Sequence, residues 1–154
     1  MTLLDRDPNA PTFWSGNLPV KSRYTYGLAG ERFFRTLKKD GIILGSHCHK
    51  CEHTYVPATK FCERCLGETT DWEDVGTIGT VYTYTLLYEK LDGTPNDKPE
   101  TIAFIRMGDG GIVHFLGEVD PEQITIDMKV EAVIKPADQR EGSILDIKYF
   151  KPLK

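Results

Sequence analysis

The chain has 154 residues, of which 40% are hydrophobic and 27% are charged, with a formal net charge of -4. This composition is too apolar for a disordered protein and too charged for a membrane protein, and no apolar run approaches the roughly 18–20 residues that span a bilayer. One domain is the default at this length, and two small modules are possible. Residues 1–11 carry charges and lack the apolar stretch of a signal peptide, so we expect a cytoplasmic protein with reduced thiols.

Charge and cysteine are unevenly distributed along the chain. Residues 1–70 hold 10 basic and 7 acidic side chains, a balance of +3, whereas residues 71–154 hold 9 basic and 16 acidic side chains, a balance of -7. All four cysteines lie in the first part. The two parts therefore differ in chemistry, and the change falls near Thr70.

The chain begins with an arm, residues 1–27, that is rich in Pro, Asn, Gly and Tyr and carries Phe13 and Trp14 as its strong apolar anchors. One turn of helix around these two aromatics is the only element that we expect there. The arm is either a disordered terminus or a segment that packs on a protein surface. The two adjacent aromatics argue against complete disorder.

A helix is predicted over Leu28–Lys39. Phe33, Phe34 and Leu37 form an apolar stripe, which the first residue of this range extends by one turn. Acidic and basic residues at the two ends complement the helix dipole, and Gly41 supplies the stop. We interpret the stripe as a packing surface.

The next segment, residues 41–70, contains little aliphatic surface beyond a short predicted strand, Ile42–Leu44. So short a segment buries too little apolar surface to fold by itself and needs a cross-link such as a bound metal ion. Two C-x2-C turns supply one, Cys48-His-Lys-Cys51 and Cys62-Glu-Arg-Cys65, with ten residues between them. Each turn points two sulfurs at one spot, and the intervening hairpin brings the two pairs together.

Zn²⁺ accepts four thiolates in a tetrahedron, and a structural zinc supplies ~10–16 kcal/mol of apparent binding free energy. We therefore expect one structural zinc ion held by Cys48, Cys51, Cys62 and Cys65. A rubredoxin-like iron site uses similar turns and is the alternative metal, whereas the expected compartment disfavours a disulfide. One of three flanking histidines could replace a sulfur, but with four cysteines present we interpret them as surface residues: His47, His49 and His53.

From Val75 onward the pattern changes to β-strands joined by short turns. The predicted strands are Val81–Tyr88, Thr101–Met107, Ile112–Gly117, Met128–Ile134 and Ile144–Phe150. Gly108–Gly111 is a hairpin turn, and Asp120–Gln123 has the composition of one helical turn. Five strands over about 80 residues predict a small closed or partly open barrel. The predicted domain limits are 1–40 for the arm and helix, 41–71 for the ribbon and 72–154 for the barrel.

The sequence offers no convincing catalytic constellation. Four sulfurs around one ion leave no open coordination position and no cysteine nucleophile. The sequence lacks a G-x-S-x-G elbow, a Walker motif and a G-x-G-x-x-G loop. We interpret His114, alone within a predicted strand, as a structural residue.

A resemblance rests on the order of these motifs. The ribbon, whose hairpin contains Val56–Pro57, is followed by Trp72 and then by the run Val75-Gly-Thr-Ile-Gly-Thr-Val-Tyr-Thr-Tyr-Thr85. With the aromatic helix before it, this arrangement over residues 28–154 resembles the small zinc-ribbon/OB-fold proteins formerly called domain of unknown function 35. The ribbon spacing alone is common, but its combination with the Gly-Thr-Ile-Gly-Thr-Val strand is much more specific. The resemblance implies a mainly β fold: an N-terminal helix, a rubredoxin-like zinc ribbon and a five-stranded OB-fold barrel.

The same resemblance implies partnership with thiolase-type enzymes that act on coenzyme A thioesters. The chain looks most like the small subunits of heteromeric thiolases, for example that of benzoylsuccinyl-CoA thiolase. In such a hetero-oligomer the small chain docks on the thiolase-like catalytic subunit, which cleaves or forms a β-ketoacyl-CoA, and helps to hold coenzyme A or channel an acyl-CoA. The long arm departs from shorter family members, and we interpret it as an added contact with the partner.

Seven residues are candidates for these contacts. Basic residues in or beside the cysteine turns could face the phosphates of coenzyme A, or be ordinary solvated charges: Lys50, Lys60 and Arg64. Aromatic residues are candidate anchors of a partner interface, with packing inside the chain as the alternative: Phe13, Trp14, Phe33 and Phe34.

A nucleic-acid-binding module is the alternative function, since ribbons and OB barrels both serve that role. Single-strand binding needs a basic groove, whereas residues 71–154 have a charge balance of -7. The loop Glu89–Glu100 adds four acidic residues against two lysines. We therefore favour the thiolase subunit over a nucleic-acid-binding module and over a stand-alone enzyme.

Overall fold

The structure, a computed structural model, describes residues 25–90 and 92–153. The predicted arm lies outside the described residues up to Tyr24, and so do its two aromatics, Phe13 and Trp14. Within the described part, no helix is both long enough and apolar enough to cross a membrane.

The first element is the helix α1, Gly27–Asp40, which extends the predicted helix by one residue at each end. It ends at Gly41, whose φ of 70° lies in the left-handed region that favours glycine. The Gly41 N–H donates to the carbonyl oxygen of Leu37 at 3.0 Å, which satisfies one of the last helical acceptors.

The buried face of α1 is narrower than the sequence predicts. Phe33 and Leu37 are 1% and 0% exposed and belong to the main core, and Phe34 packs against them while half-buried. Leu28 is 68% exposed, so the prediction that it extends the apolar stripe is wrong. Complete burial of a side chain such as Phe33 contributes roughly 1.5–3 kcal/mol, which fastens the helix to the rest of the chain.

The ribbon is a three-stranded antiparallel sheet. Its strands are β1, Leu44–Cys48; β2, His53–Tyr55; and β3, Asp71–Asp74. Their order is β2-β1-β3, so the central strand β1 leads directly into the first pair of cysteines. The predicted strand at Ile42–Leu44 is shifted, because Ile43 is drawn into the main core at 0% exposure and pairing begins only at Leu44.

Five further strands close into a barrel. They are β4, Ile78–Glu89; β5, Pro95–Met107; β6, Gly110–Leu116; β7, Lys129–Ile134; and β8, Ile147–Pro152. The order around the barrel is β4-β5-β6-β8-β7, and β7 pairs back onto β4. All neighbours are antiparallel except β6 and β8, which are parallel. The expected fold, mainly β with one helix, a ribbon and a five-stranded barrel, is confirmed.

The last predicted strand begins later than expected, because Ile144–Asp146 forms a 3-10 turn. The Ser143 hydroxyl accepts from the Leu145 N–H at 3.2 Å, and Asp146 accepts from the Ser143 N–H at 3.3 Å. This reciprocal capping stabilises a turn where the apolar pattern alone suggested a strand. A second 3-10 turn at Pro121–Gln123 agrees with the helical turn predicted there.

The ribbon and the barrel are tied together at two places. The first is the linker Val75–Thr77, which joins β3 to β4. The Val75 N–H donates to the carbonyl oxygen of Ile43 at 3.1 Å, and the Thr77 carbonyl oxygen accepts from the Ala132 N–H at 2.8 Å. The β5–β6 hairpin forms the second tie, where the Gly111 N–H donates to the Val56 carbonyl oxygen at 3.1 Å.

The hairpin contact is very close. A Cβ atom on Gly110 would lie 2.4 Å from the Val56 backbone nitrogen, so only glycine fits there. Asp109, in the same hairpin, accepts from the Thr54 N–H at 3.1 Å. The barrel thereby supports β2, one of the two strands that flank the first cysteine turn.

Candidate metal centre

The two C-x2-C turns end in the same backbone conformation and close with different hydrogen bonds. The residue after the second cysteine of each turn is in the left-handed region, Glu52 at a φ of 48° and Leu66 at 59°. The Cys51 N–H donates to the Cys48 carbonyl oxygen at 3.2 Å, and the Leu66 N–H donates to the Cys62 carbonyl oxygen at 2.9 Å. Both turns therefore curl so that their two sulfurs face the same point.

The sulfur positions fit a tetrahedral metal. The four Sγ atoms lie within 4.8 Å of one another, and those of Cys48 and Cys65 are 3.7 Å apart. In a tetrahedron with Zn–S bonds of about 2.3 Å, sulfurs are separated by about 3.8 Å. The four cysteines thus form a zinc-ribbon site that the structure holds ready for one ion.

The chemistry of this donor set is structural rather than catalytic. Cys48 and Cys62 are buried at 3% and 0% exposure, and Cys51 and Cys65 are half-buried. A zinc ion bound by four thiolates would have no position left for water or substrate. Its contribution would be to hold β1, β2 and the two turns together. These elements share a small second core that consists of the four cysteines and Tyr55.

Tyr55 is a supporting residue that the sequence analysis missed. Its buried hydroxyl lies 3.3 Å from the Cys62 Sγ atom and accepts from the Glu63 N–H at 3.1 Å. The hydrogen bond from Tyr55 is the largest cause that lowers the pKa of the Cys62 thiol, and backbone N–H groups of Cys65 and Arg64 lower it further, which favours the thiolate that a metal requires. The sequence offers only a weak signal for this role, which is a Tyr two residues before the proline of the hairpin. Nothing in the local sequence specifies where the hydroxyl of that Tyr lies.

The three histidines near the first turn have their own partners. His47 Nδ1 lies 3.0 Å from the Thr54 hydroxyl, His49 pairs with Asp71, and His53 lies 3.6 Å from an Asp109 carboxylate oxygen. Over residues 25–90 and 92–153, the only group able to hold a metal is the set of four cysteines. The arrangement therefore favours four sulfur ligands over one with a histidine.

The basic candidates lie around the same site but differ in their surroundings. Lys50 and Arg64 are exposed, one inside each cysteine turn. The metal site brings the two turns that carry these residues together. Lys60 is half-buried, and its ammonium group lies 3.4 Å from a Glu68 carboxylate oxygen, which partly neutralises its charge.

The aromatic candidates separate into two kinds. Phe33 is buried in the core, so it packs inside the chain and offers almost no surface to a partner. Phe34 is half-buried and contacts Tyr26 edge to face, with ring centroids 5.4 Å apart. Phe34 therefore keeps surface that another molecule can reach.

Comparisons with known proteins agree with this architecture. Residues 35–71 match the sequence model of the ChsH2 rubredoxin-like zinc ribbon domain, and residues 72–135 match that of the ChsH2 C-terminal OB-fold domain. A solved protein of unknown function from the DUF35 family of Sulfolobus solfataricus is 30% identical, with a TM-score of 0.59. The superposition covers 70% of this chain and 78% of that one. This chain belongs to the DUF35 family.

Two other relatives extend the comparison. A DUF35 domain-containing scaffold protein of Pyrococcus furiosus is 26% identical over 126 aligned residues, and the match covers 80% of this chain and 92% of that protein. The solved Ltp2-ChsH2(DUF35) aldolase contains a chain that is 20% identical, with a TM-score of 0.61. That match covers 84% of this chain and 98% of the other, and it shows a shared fold.

Proposed function

We propose that this DUF35 chain is the non-catalytic, zinc-binding subunit of a heteromeric acyl-CoA thiolase. It would dock on a thiolase-like subunit that cleaves or forms a β-ketoacyl-CoA and would help to hold coenzyme A there. The observation that carries the proposal is that all four cysteines of the chain converge on one tetrahedral site.

Acyl transfer between thioesters proceeds most readily through a cysteine thiolate, because the thiolate is both strongly nucleophilic and easily formed. A chain whose every cysteine binds one metal ion has no thiolate left for that step. A subunit of this kind therefore needs a partner that supplies the nucleophile.

The relatives support an assembly role. The Pyrococcus furiosus protein is described as a scaffold, and the Ltp2-ChsH2(DUF35) aldolase pairs a DUF35 chain with another protein. Phe34, with its partly open ring, is a proposed contact residue. The substrate class that we propose is a β-ketoacyl-CoA, with benzoylsuccinyl-CoA as one member.

Charge supports a place for coenzyme A on the ribbon. Lys50 and Arg64 are exposed on the adjoining cysteine turns, where two cations could pair with the diphosphate of coenzyme A. Lys60 is a weaker candidate, because Glu68 already accompanies it.

Co-purification tests the assembly. Tagged chain expressed in its native source should recover a larger thiolase-like chain, and the complex should cleave a β-ketoacyl-CoA with free coenzyme A. The Cys48→Ser variant should lose both zinc and the partner, whereas His49→Ala, beside it on the same turn, should keep both. A small chain that turns over the substrate alone, or a complex that stays active after zinc removal, would contradict the proposal.

Steady-state kinetics of the complex tests the coenzyme A contact. Lys50→Glu and Arg64→Glu should each raise KM for coenzyme A about tenfold with little change in kcat, since one lost charged hydrogen bond costs roughly 1.5 kcal/mol. Lys129→Glu, an exposed residue on β7, is the matched control. An unchanged KM in both ribbon variants would place coenzyme A on the partner alone while leaving the assembly itself intact.

A further inference from the structure

The outer face of β5 and β6 carries four apolar side chains in register. Ile102 lies directly opposite Phe115, and Phe104 lies directly opposite Val113. The residues that alternate with them on the same strands, such as Ala103, are buried in the barrel. Val113 and Phe115 are 63% and 38% exposed, and Ile102 and Phe104 are half-buried. A contiguous apolar face of this kind is typical of a protein–protein interaction site.

The 3-10 turn at Ile144–Asp146 adds a pocket to this face. The pocket has a volume of about 180 Å³ and is lined by Ile102, Val113, His114, Phe115, Ile144 and Leu145. An apolar cavity of roughly 150 Å³ binds benzene, so this space suits one aromatic ring. Phe104 lies on the same face but outside this lining, so its ring is placed to fill a pocket on another molecule.

Opposite charges stand at the two ends of the face. Glu100 and Arg106 are both exposed on β5 and alternate with its buried residues, as Ile102 and Phe104 between them do. Six residues of a strand span about 20 Å, so these two charges cannot meet within one chain. Among the described residues, neither of them has an ion-pair partner. The Arg106 guanidinium lies 4.1 Å from the centroid of the Tyr82 ring, which holds it at its end of the face.

This arrangement of charges and apolar side chains is complementary to itself. When two such faces pack with their strands antiparallel, a twofold axis runs across the strands at the level of Ala103 and His114, which are directly opposite each other. Reversal about that level brings together three kinds of pair, each formed twice: Arg106 with Glu100, Phe104 with Ile102, and Val113 with Phe115. Because Ile102 lines the pocket, the Phe104 ring of each copy faces the pocket of the other.

We propose that the outer face of β5 and β6 binds the same face of a second copy of this chain in this antiparallel arrangement. Charge complementarity selects that occupant, because the strand that carries Arg106 also carries the carboxylate that a twofold partner needs. The face is confined to two strands, so the dimer belongs to the small class of interface that associates weakly. The β5–β6 hairpins, which contact the ribbons, point in opposite directions in such a dimer and leave both metal centres open to other proteins. The proposal does not depend on the thiolase partnership.

Sedimentation equilibrium of the zinc-loaded, full-length chain tests the dimer. The parent should show a monomer–dimer equilibrium between micromolar and submillimolar concentrations. Val113→Glu should raise the dimer dissociation constant at least about tenfold, because it places a carboxylate against an aromatic ring of the other copy. Leu153→Glu is the matched control, since Leu153 is 40% exposed but is hydrogen-bonded to β7, which borders neither β5 nor β6 in the barrel.

An exchange of the two charges tests the antiparallel arrangement. Arg106→Glu and Glu100→Arg should each raise the dissociation constant about tenfold, because either reversal sets like charges against each other at both ends of the dimer. The double exchange should return the constant to within about threefold of the parent value. Since the two residues are about 20 Å apart within one chain, such a rescue requires contact between copies. Circular dichroism checks that each variant is folded.

Three results would overturn the proposal. The parent chain could remain a monomer at every concentration. A dimer could form but be indifferent to Val113→Glu, or be weakened by the single charge reversals without rescue by the double exchange. The free chain could also be a monomer whose binding to the catalytic subunit is lost in Val113→Glu, which would assign the face to that subunit.

Discussion

The guanidinium group of Arg140 donates from Nη1 to the carbonyl oxygen of Lys38, 3.3 Å away and 102 residues earlier in the sequence. The same atom lies 3.4 Å from the Lys39 carbonyl oxygen, and Nε donates to the Lys135 carbonyl oxygen at 2.7 Å. One side chain from the barrel thus caps the C-terminal end of α1, where free carbonyl groups and the helix dipole both favour a cation.

Arg140→Ala should therefore lower the free energy of unfolding by about 1–3 kcal/mol, because a charged donor to three carbonyl groups, one of them half-buried, is lost. Arg35→Ala is the control, since Arg35 forms an exposed ion pair with Glu31 on the same helix and such pairs contribute about 0–1 kcal/mol. Urea denaturation of zinc-loaded protein measures both. Equal losses in the two variants would show that Arg140 does not cap the helix.

Gly110→Ala should disturb the contact between hairpin and ribbon. The new Cβ would meet backbone rather than a flexible side chain at Val56, and overpacking of this kind costs about 1–3 kcal/mol. Gly93→Ala meets no atom within 4 Å and carries only the strain of its φ of 82°. Thermal unfolding should place Gly110→Ala clearly below Gly93→Ala in stability, and the reverse order would argue against the close contact.

Tyr55→Phe should weaken metal retention without unfolding the chain. The ring still fills its place in the ribbon, but Cys62 loses its hydroxyl partner, and changes to such supporting residues typically reduce metal affinity about 10–100-fold. Competition with a chromogenic chelator measures the change. Tyr149→Phe, which removes a hydroxyl bonded to Glu118 on the barrel, should leave zinc affinity as in the parent.

Asp146→Asn should destabilise the barrel in a pH-dependent way. Burial raises the pKa of the Asp146 carboxyl, but N–H donors from Glu141, Gly142 and Ser143 outweigh it, and the net pKa lies below the ordinary value of 3.8. Because the pKa is lower in the folded state than in the unfolded state, the carboxylate stabilises the fold at pH values above the unfolded-state pKa. That stabilisation is lost as the pH falls through the folded-state pKa.

The free energy of unfolding should therefore differ between wild type and Asp146→Asn by about 1–3 kcal/mol at neutral pH. This difference should shrink below pH 3.8. Asp138→Asn, an exposed carboxylate nearby, should change stability little at any pH. A difference that stays constant down to low pH would mean that the carboxylate charge is not what the three N–H groups bind.

Local chemistry explains which features could be predicted from the sequence. The C-x2-C spacing specifies the four ligands because each turn is a closed local unit. The strands of the barrel are predictable because apolar and polar residues alternate along them with a period of two. The start of β1 could not be predicted, because Ile42–Leu44 has strand composition while long-range burial of Ile43 decides where pairing begins.

Other features depend on contacts between distant segments. Leu28 has the spacing of a core residue, but it is 68% exposed. Tyr55, Arg140 and Asp146 each act through one specific partner across a tertiary contact. Such roles follow from the assembled structure rather than from any local pattern.

The linker between β3 and β4 is three residues long and is hydrogen-bonded to the ribbon at Val75 and to the barrel at Thr77. It leaves the two modules almost no freedom to swing apart. Any molecule that grips the metal-bearing end would at the same time set the direction in which the barrel points. Within a larger assembly, the protein would then fix the distance and the angle between a molecule bound to the ribbon and a molecule bound to the barrel.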